Sequence, residues 1–219
     1  MKASVFLALL AVAGAFALPS QDIETKDITT DFIINLINRM IESIKGAGLD
    51  PLKIKNAAYE YDGNLLQLKA FVEDLQFTGA SNIVISNLHN NIFLSLYDFD
   101  VVIPELSLIV GDSGIEANIW ENIVSAEFRG SLSIKNIRLA GQVRYRGSLI
   151  VGVEIVSIVM QTGIGGIEAD VNVIANGNDH SAAINVFLND TLPNTLENYR
   201  NEINALLARI IMAIINRRT

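Results

Sequence analysis

The sequence contains no cysteine. That removes disulfides, thiol nucleophiles and thiolate metal ligands together. Small secreted domains depend on disulfides, but a chain of 219 residues has enough length to rely on its core. Histidine is nearly absent as well. His89 and His180 stand alone, without a second histidine or a carboxylate at metal-ligand spacing, and read as surface or turn residues. Basic residues number 16 against 24 acidic ones, a net charge of −8. An acidic chain repels nucleic acid and anionic surfaces over long range. Arg129, Lys135, Arg138, Arg144 and Arg146 come closest to a basic patch, yet all fall at the polar positions of an alternating pattern and read as a solvated sheet face.

Catalytic signatures are missing too. There is no G-x-S-x-G elbow and no phosphate loop, and "GIGG" at 163–166 is not followed by a helix as a dinucleotide fingerprint requires. Glu73-Asp74 and Asp98/Asp100 are carboxylate pairs without a pocket, and general acid catalysis needs one. The residues give no case for an enzyme, a metal or a cofactor.

What the chain has is apolar surface. Half its residues are hydrophobic, and mean hydropathy is +0.36. The first residues, "MKASVFLALLAVAGAFALPS", account for a little of this. Lys2, an apolar run from Ala3 to Ala13, and the small-x-small Ala15-Phe16-Ala17 predict a secretory leader over 1–17, too short for a good membrane span. The mature chain then starts at Leu18, one charge more negative, as a secreted, extracellular protein without stable membrane insertion.

Beyond a polar start, "ITTDFIINLINRMIESIKGAG" predicts an amphipathic helix. Phe32, Ile33, Leu36, Ile37, Met40, Ile41 and Ile44 recur at helical spacing, and Gly46, Gly48 and Pro51 end it. From about Leu65 to Ala175 the period drops to two, predicting consecutive long antiparallel strands with turns at "YDGN", "TGAS", "GDSG", "YRGS", "GIGG" and "NGND". In "SLSIKNIRLAGQVRY" the apolar alternation Leu132, Ile134 slips by one to Ile137, Leu139 before reaching Val143 and Tyr145. Pro104 predicts an edge, bulge or break. "NIFLSLY" reads as a strand dry on both faces. The end of the chain predicts a helix over 195–216, about 33 Å long, with one broad apolar stripe. Asn189-Asp190-Thr191 is a glycosylation sequon placed in a polar loop before that helix. No linker or repeat divides 18–219, so one domain is expected, and no residue argues for an oligomeric state.

The order of these elements carries a resemblance. A leader, a helix ending in "GLDPLKI", then "LLQLKAFVEDLQFTG", "VVIPELSLIVG", "IEANIWENIVSAEFRGSLSIKNIRLAGQV" and a closing amphipathic helix resemble the mite group seven allergen family and its takeout and juvenile-hormone-binding relatives, within the tubular lipid-binding superfamily that includes the bactericidal/permeability-increasing proteins. The likeness spans about Ile28 to Asn216. It implies an α+β super-roll: a long, highly curved antiparallel β-sheet wrapped around a long amphipathic C-terminal helix, with a second, N-terminal helix. It also implies non-enzymatic binding of a lipid-like ligand in an elongated apolar cavity, without metal or cofactor. The hormone-binding branch implies an N-terminal disulfide. Its absence here points toward the allergen-like, arthropod branch.

Residues and resemblance together imply a secreted carrier of a fatty acid, terpenoid or other lipid. Its candidate lining residues, taken from the dry positions, are Ile37, Met40, Phe93, Tyr97, Ile134, Leu139, Val153, Ile155, Ile203, Leu207 and Ile211. The alternative is a secreted immune-recognition protein with a closed, packed core, binding microbial surface components through its loops. Core and ligand-lining residues share one composition, so the residues leave both open.

Overall fold

A computed structural model describes residues 30–63, 66–119, 122–148 and 152–216. The expected leader lies outside these residues. Helix α1 runs Thr30–Gly46 and ends as its glycines predict. Gly48 takes the left-handed conformation (φ 67°), the Gly48 N–H donates to Lys45 O, and the Leu49 N–H donates to Ile44 O. These two bonds satisfy carbonyls that the last helical turn leaves open.

Among the described residues, nine strands follow, joined in one sheet. They are β1 (Leu52–Asp62), β2 (Leu66–Thr78), β3 (Val84–Asn91), β4 (Leu96–Val110), β5 (Asp112–Ile119), β6 (Asn122–Ser148), β7 (Gly152–Gly163), β8 (Gly166–Ala175) and β9 (Asn178–Asp179). Every pairing is antiparallel. The 27-residue β6 is the spine. One of its sides pairs first with β5 and then with β4, and the other first with β8 and then with β7. The expected architecture of one long antiparallel sheet with a helix from each end of the chain is therefore present.

The slip seen in the sequence has a structural cause. Asn136 sits at φ 49° inside β6, between the pairs Ile103–Ile137 and Glu105–Lys135, and this left-handed residue moves the next side chains to the opposite parity. β4 changes parity at the same level, and its register with β6 continues unbroken on both sides of Pro104. Pro104 stands where β4 passes from β3 to β2 as neighbours, so its missing N–H costs no ladder bond there. Asn176 and Gly177, at φ 50° and 76°, make the tight β8–β9 turn that the Asn-Gly pair favours.

Two expectations need correcting. "NIFLSLY" is not a continuous strand: residues 92–95 form the β3–β4 turn, and β4 begins at Leu96. The polar loop before the last helix is itself helical. Helix α2 (Ser181–Val186), a π-helical turn (Phe187–Thr191) and α3 (Leu192–Asn198) lead to α4 (Arg200–Asn216). Pro193 cannot donate to Asn189 O and crowds it, so the helix widens over that turn.

This helical run closes the outer edge of β8 with side chains. Ser181 Oγ accepts the Val173 N–H at 2.9 Å. The Asn185 amide accepts the Val171 N–H and donates to Val171 O, both at 2.9 Å. Asn189 does the same at Ala169, at 2.6 and 2.9 Å. The spacing explains the fit: four helical residues rise about 6 Å, and two strand residues span about 6.6 Å. Further on, Asn204 Oδ1 accepts the N–H and the hydroxyl of Thr162 on β7. An edge left open would template pairing with another chain, and the helices remove that hazard. Asn189 is thus half-buried with its Nδ2 engaged, and a glycan on that atom would break the last rung. We expect Asn185→Ala to lower stability by about 1–2 kcal/mol, and the double change with Asn189→Ala by more. Urea midpoints would show this, with the exposed Asn194→Ala as a neutral control.

Candidate ligand-binding face

Cross-strand partners share a face of the sheet, so the register assigns each side chain to one side. Across β4, β6 and β7, one face aligns Tyr97 with Val143 and Ile158, Phe99 with Gly141 and Met160, and Val101 with Leu139 and Thr162. Toward β8 the same face aligns Leu106 with Ile134 and Ile167, and Leu132 with Ala169. This face is dry from Leu132 to Val143 of β6. Its most enclosed members, Tyr97, Met160, Ile167 and Val171, are buried, while Ile134, Ile137, Leu139 and Val143 are half-buried.

The opposite face is wet and self-paired. Arg138 bonds Asp100 through both Nε and Nη2, at 3.0 and 2.6 Å. Lys135 pairs with Glu168, Arg146 with Glu154, and Gln142 donates to Asp98. The Arg138 guanidinium holds the Asp100 carboxyl below the usual carboxylate range. These exposed pairs contribute little to stability, but they keep that face in water. The basic residues noted in the sequence do sit on solvated positions.

Four of the expected lining residues meet on the dry face: Tyr97, Ile134, Leu139 and Ile155, the last opposite Tyr145. Val153 stands at the β7 position opposite Gly147. Ile203, Leu207 and Ile211 form a half-buried stripe on α4, which packs along β7, while Leu206 and Ile210 on the same helix are exposed. Ile37 and Met40 are half-buried on α1, whose neighbour in the sheet is β3. Phe93 does not belong to the set. It sits in the β3–β4 turn and is fully exposed at 101%, so it lines no wall. Phe99, Val101, Met160 and Ile167 join the face without having been anticipated, because alternation gives parity within a strand but not which strands meet.

A groove of about 510 Å³ opens where the β7–β8 turn meets the start of α4. Arg138, Gln161, Thr162, Arg200, Asn201 and Asn204 contribute to its lining, and Ile164 is its one large apolar residue. None of the expected lining residues borders it. Both guanidiniums are already engaged, Arg138 with Asp100 and Arg200 with Glu197. It is a notch at the sheet edge whose lining residues are mostly polar in type.

Among the described residues, no group of three or more histidines and carboxylates could hold a metal ion. His89 lies exposed on β3 opposite Asp98, and His180 is exposed at the start of α2. No described helix is long and apolar enough to cross a membrane.

Fold and site together define an α+β protein built on one large antiparallel sheet, with one charged face and one dry face bordered by helices. The chain belongs to the haemolymph juvenile hormone binding protein family, whose family model matches residues 5–219. That is the arm of the resemblance that the missing cysteines had counted against. Among solved structures, Takeout 1 of Epiphyas postvittana is 14% identical, with 77% of each chain covered and a TM-score of 0.31. A lipopolysaccharide binding protein is 10% identical over 84% of this chain and 38% of its own, with a TM-score of 0.29. No curated protein sequence matches the chain.

Proposed function

We propose that this protein is a secreted, non-enzymatic carrier of a hydrophobic small molecule, held against the dry face of the sheet by one binding unit spanning 18–219. The observation that carries this reading is the continuous apolar face over β4, β6, β7 and β8, whose side chains are largely half-buried rather than sealed. Family membership supports it, since the family is named for binding a juvenile hormone in haemolymph. The leader expected over 1–17 supports an extracellular site of action. Removing ligand hydrocarbon from water would supply about 0.8 kcal/mol per buried methylene, before ordering costs. A fatty acid, a terpenoid or another lipid fits these terms.

Mass spectrometry of an organic extract tests the reading, comparing natively purified protein with a denatured and refolded control. A stoichiometric lipid found only in the native sample is the expected result. An empty extract, with no binding of terpenoid or fatty-acid probes by the refolded protein, would favour a closed core and a recognition role at the surface.

A further inference from the structure

The β3–β4 turn carries three consecutive large apolar residues in water: Ile92 at 74% exposure, Phe93 at 101% and Leu94 at 59%. Turns are ordinarily built from Gly, Asn, Asp, Ser and Pro, and an exposed run of this kind is a fault unless it is used. The turn is also braced. Asn91 Oδ1 accepts the Leu94 N–H at 3.1 Å, and Ile92 O accepts the Ser95 N–H at 3.3 Å. Ser95 O accepts the Tyr145 N–H at 3.0 Å, and the Tyr145 hydroxyl donates to Asn90 Oδ1 at 2.8 Å. Strand β6 thus holds the tip from behind. Arg144, directly opposite Leu96, is exposed beside it, and among the described residues no carboxylate pairs with it.

We infer that Ile92, Phe93 and Leu94 form a tip that docks reversibly on a phospholipid surface, with the Arg144 guanidinium at the depth of the phosphates. Size and charge favour this occupant over a second copy of the chain or another protein. Three side chains offer a few hundred Å², whereas a stable protein interface takes about 800 Å² from each partner. Lipids rearrange around a small convex tip, and its aromatic member suits the boundary between acyl chains and headgroups. The cation next to the tip complements phosphate. The acidic chain as a whole opposes strongly anionic surfaces, so zwitterionic lipid is the matching one. Docking of this kind goes beyond carriage: it gives the protein a place to collect or release its cargo.

Flotation of the full protein with phosphatidylcholine vesicles is the test. Wild-type protein is expected to float with the vesicles, and Phe93→Asp to bind about ten- to hundredfold more weakly, the value of one buried large apolar side chain. Phe93→Leu should retain most of the binding, and Arg144→Glu should weaken it with little change in thermal stability. Because the tip is exposed, Phe93→Asp should unfold at the wild-type temperature and yield the same lipid in the organic extract, which separates this inference from the carrier reading. Three results would overturn it: wild-type protein that stays with the aqueous phase, a Phe93→Asp variant that floats as well as wild type, or a concentration-dependent dimer that Phe93→Asp abolishes while vesicle binding persists.

Discussion

Asp50→Asn is expected to lower the unfolding free energy by about 2–3 kcal/mol, a sizeable share of the stability of an ordinary domain. Asp50 is buried just past α1, and its carboxylate holds the β2–β3 connection. Oδ1 accepts the Gly79 N–H at 3.0 Å, and Oδ2 accepts the N–H and the hydroxyl of Ser81, each at 2.6 Å. A carboxylate accepts on both oxygens, but an amide presents one acceptor and one donor. Whichever way the substituted amide turned, a donor would face a donor in a buried site. The knot is also tight in backbone terms. Gly79 lies at φ 100°, and a Cβ there would come within 1.9 Å of Glu105 O on β4. Gly79→Ala should therefore be destabilising for two reasons, conformation and clash, whereas Gly46→Ala, with open space around it, should not.

The same carboxylate makes a pH prediction. Burial alone raises the Asp50 pKa, but the Ser81 hydroxyl, the Ser81 and Gly79 N–H groups and nearby Lys45 together outweigh it and leave the value lowered. A lowered folded value means the unfolded chain takes up the proton first. The stability contributed is whole at neutral pH, begins to fall near the ordinary carboxylate range around 4, and is lost as pH drops through the lowered folded value. Wild-type stability should thus fall with acid more steeply than that of Asp50→Asn. Urea titrations at a series of acidic pH values would show this, and parallel curves would refute the assignment.

Much of this architecture is written in the two-residue period, and the misses have physical reasons. The slip between Ile134 and Ile137 is visible because a left-handed residue inside a half-buried strand reverses the alternation. Strand β1 was not visible. From Lys55 to Asp62 both of its faces are exposed, so no dry stripe marks it. The helical run from Ser181 has the sequence of a loop because it meets the sheet through Ser181, Asn185 and Asn189, polar residues at the contact where the usual pattern puts apolar ones. Its Pro193, normally a boundary signal, is absorbed by the widened turn. The apolar run around Phe93 shows the reverse error. Run length alone does not separate a buried strand from an exposed tip, and only Asn91 and Ser95 flanking it hint at a turn. The dry face was legible strand by strand, but its assembly depends on register, which is set by pairing across long sequence distances and leaves no local trace.

If a ligand lies on that face, filling part of it should weaken binding without removing the fold. Leu139 is central, flanked by Val101 on β4 and Thr162 on β7, and half-buried. Leu139→Trp would occupy the room of about three ligand methylenes, costing about 2 kcal/mol, or a roughly thirtyfold rise in Kd. Leu207→Trp should act in the same direction from the α4 side. Val159→Trp introduces the same indole on β7 but on the wet face, where Val159 is 56% exposed, and should leave binding alone. Displacement of cis-parinaric acid would report the affinities, and thermal unfolding would register any overpacking, whose cost is about 1–3 kcal/mol. Should all three variants bind the probe like wild type, the ligand does not sit between α4 and the sheet. Should Leu139→Trp alone lose binding, the ligand lies on the sheet away from the helix. Loss in both Leu139→Trp and Leu207→Trp, with Val159→Trp unchanged, places it between the two, where half-buried side chains of strand and helix leave apolar surface that neither covers by itself.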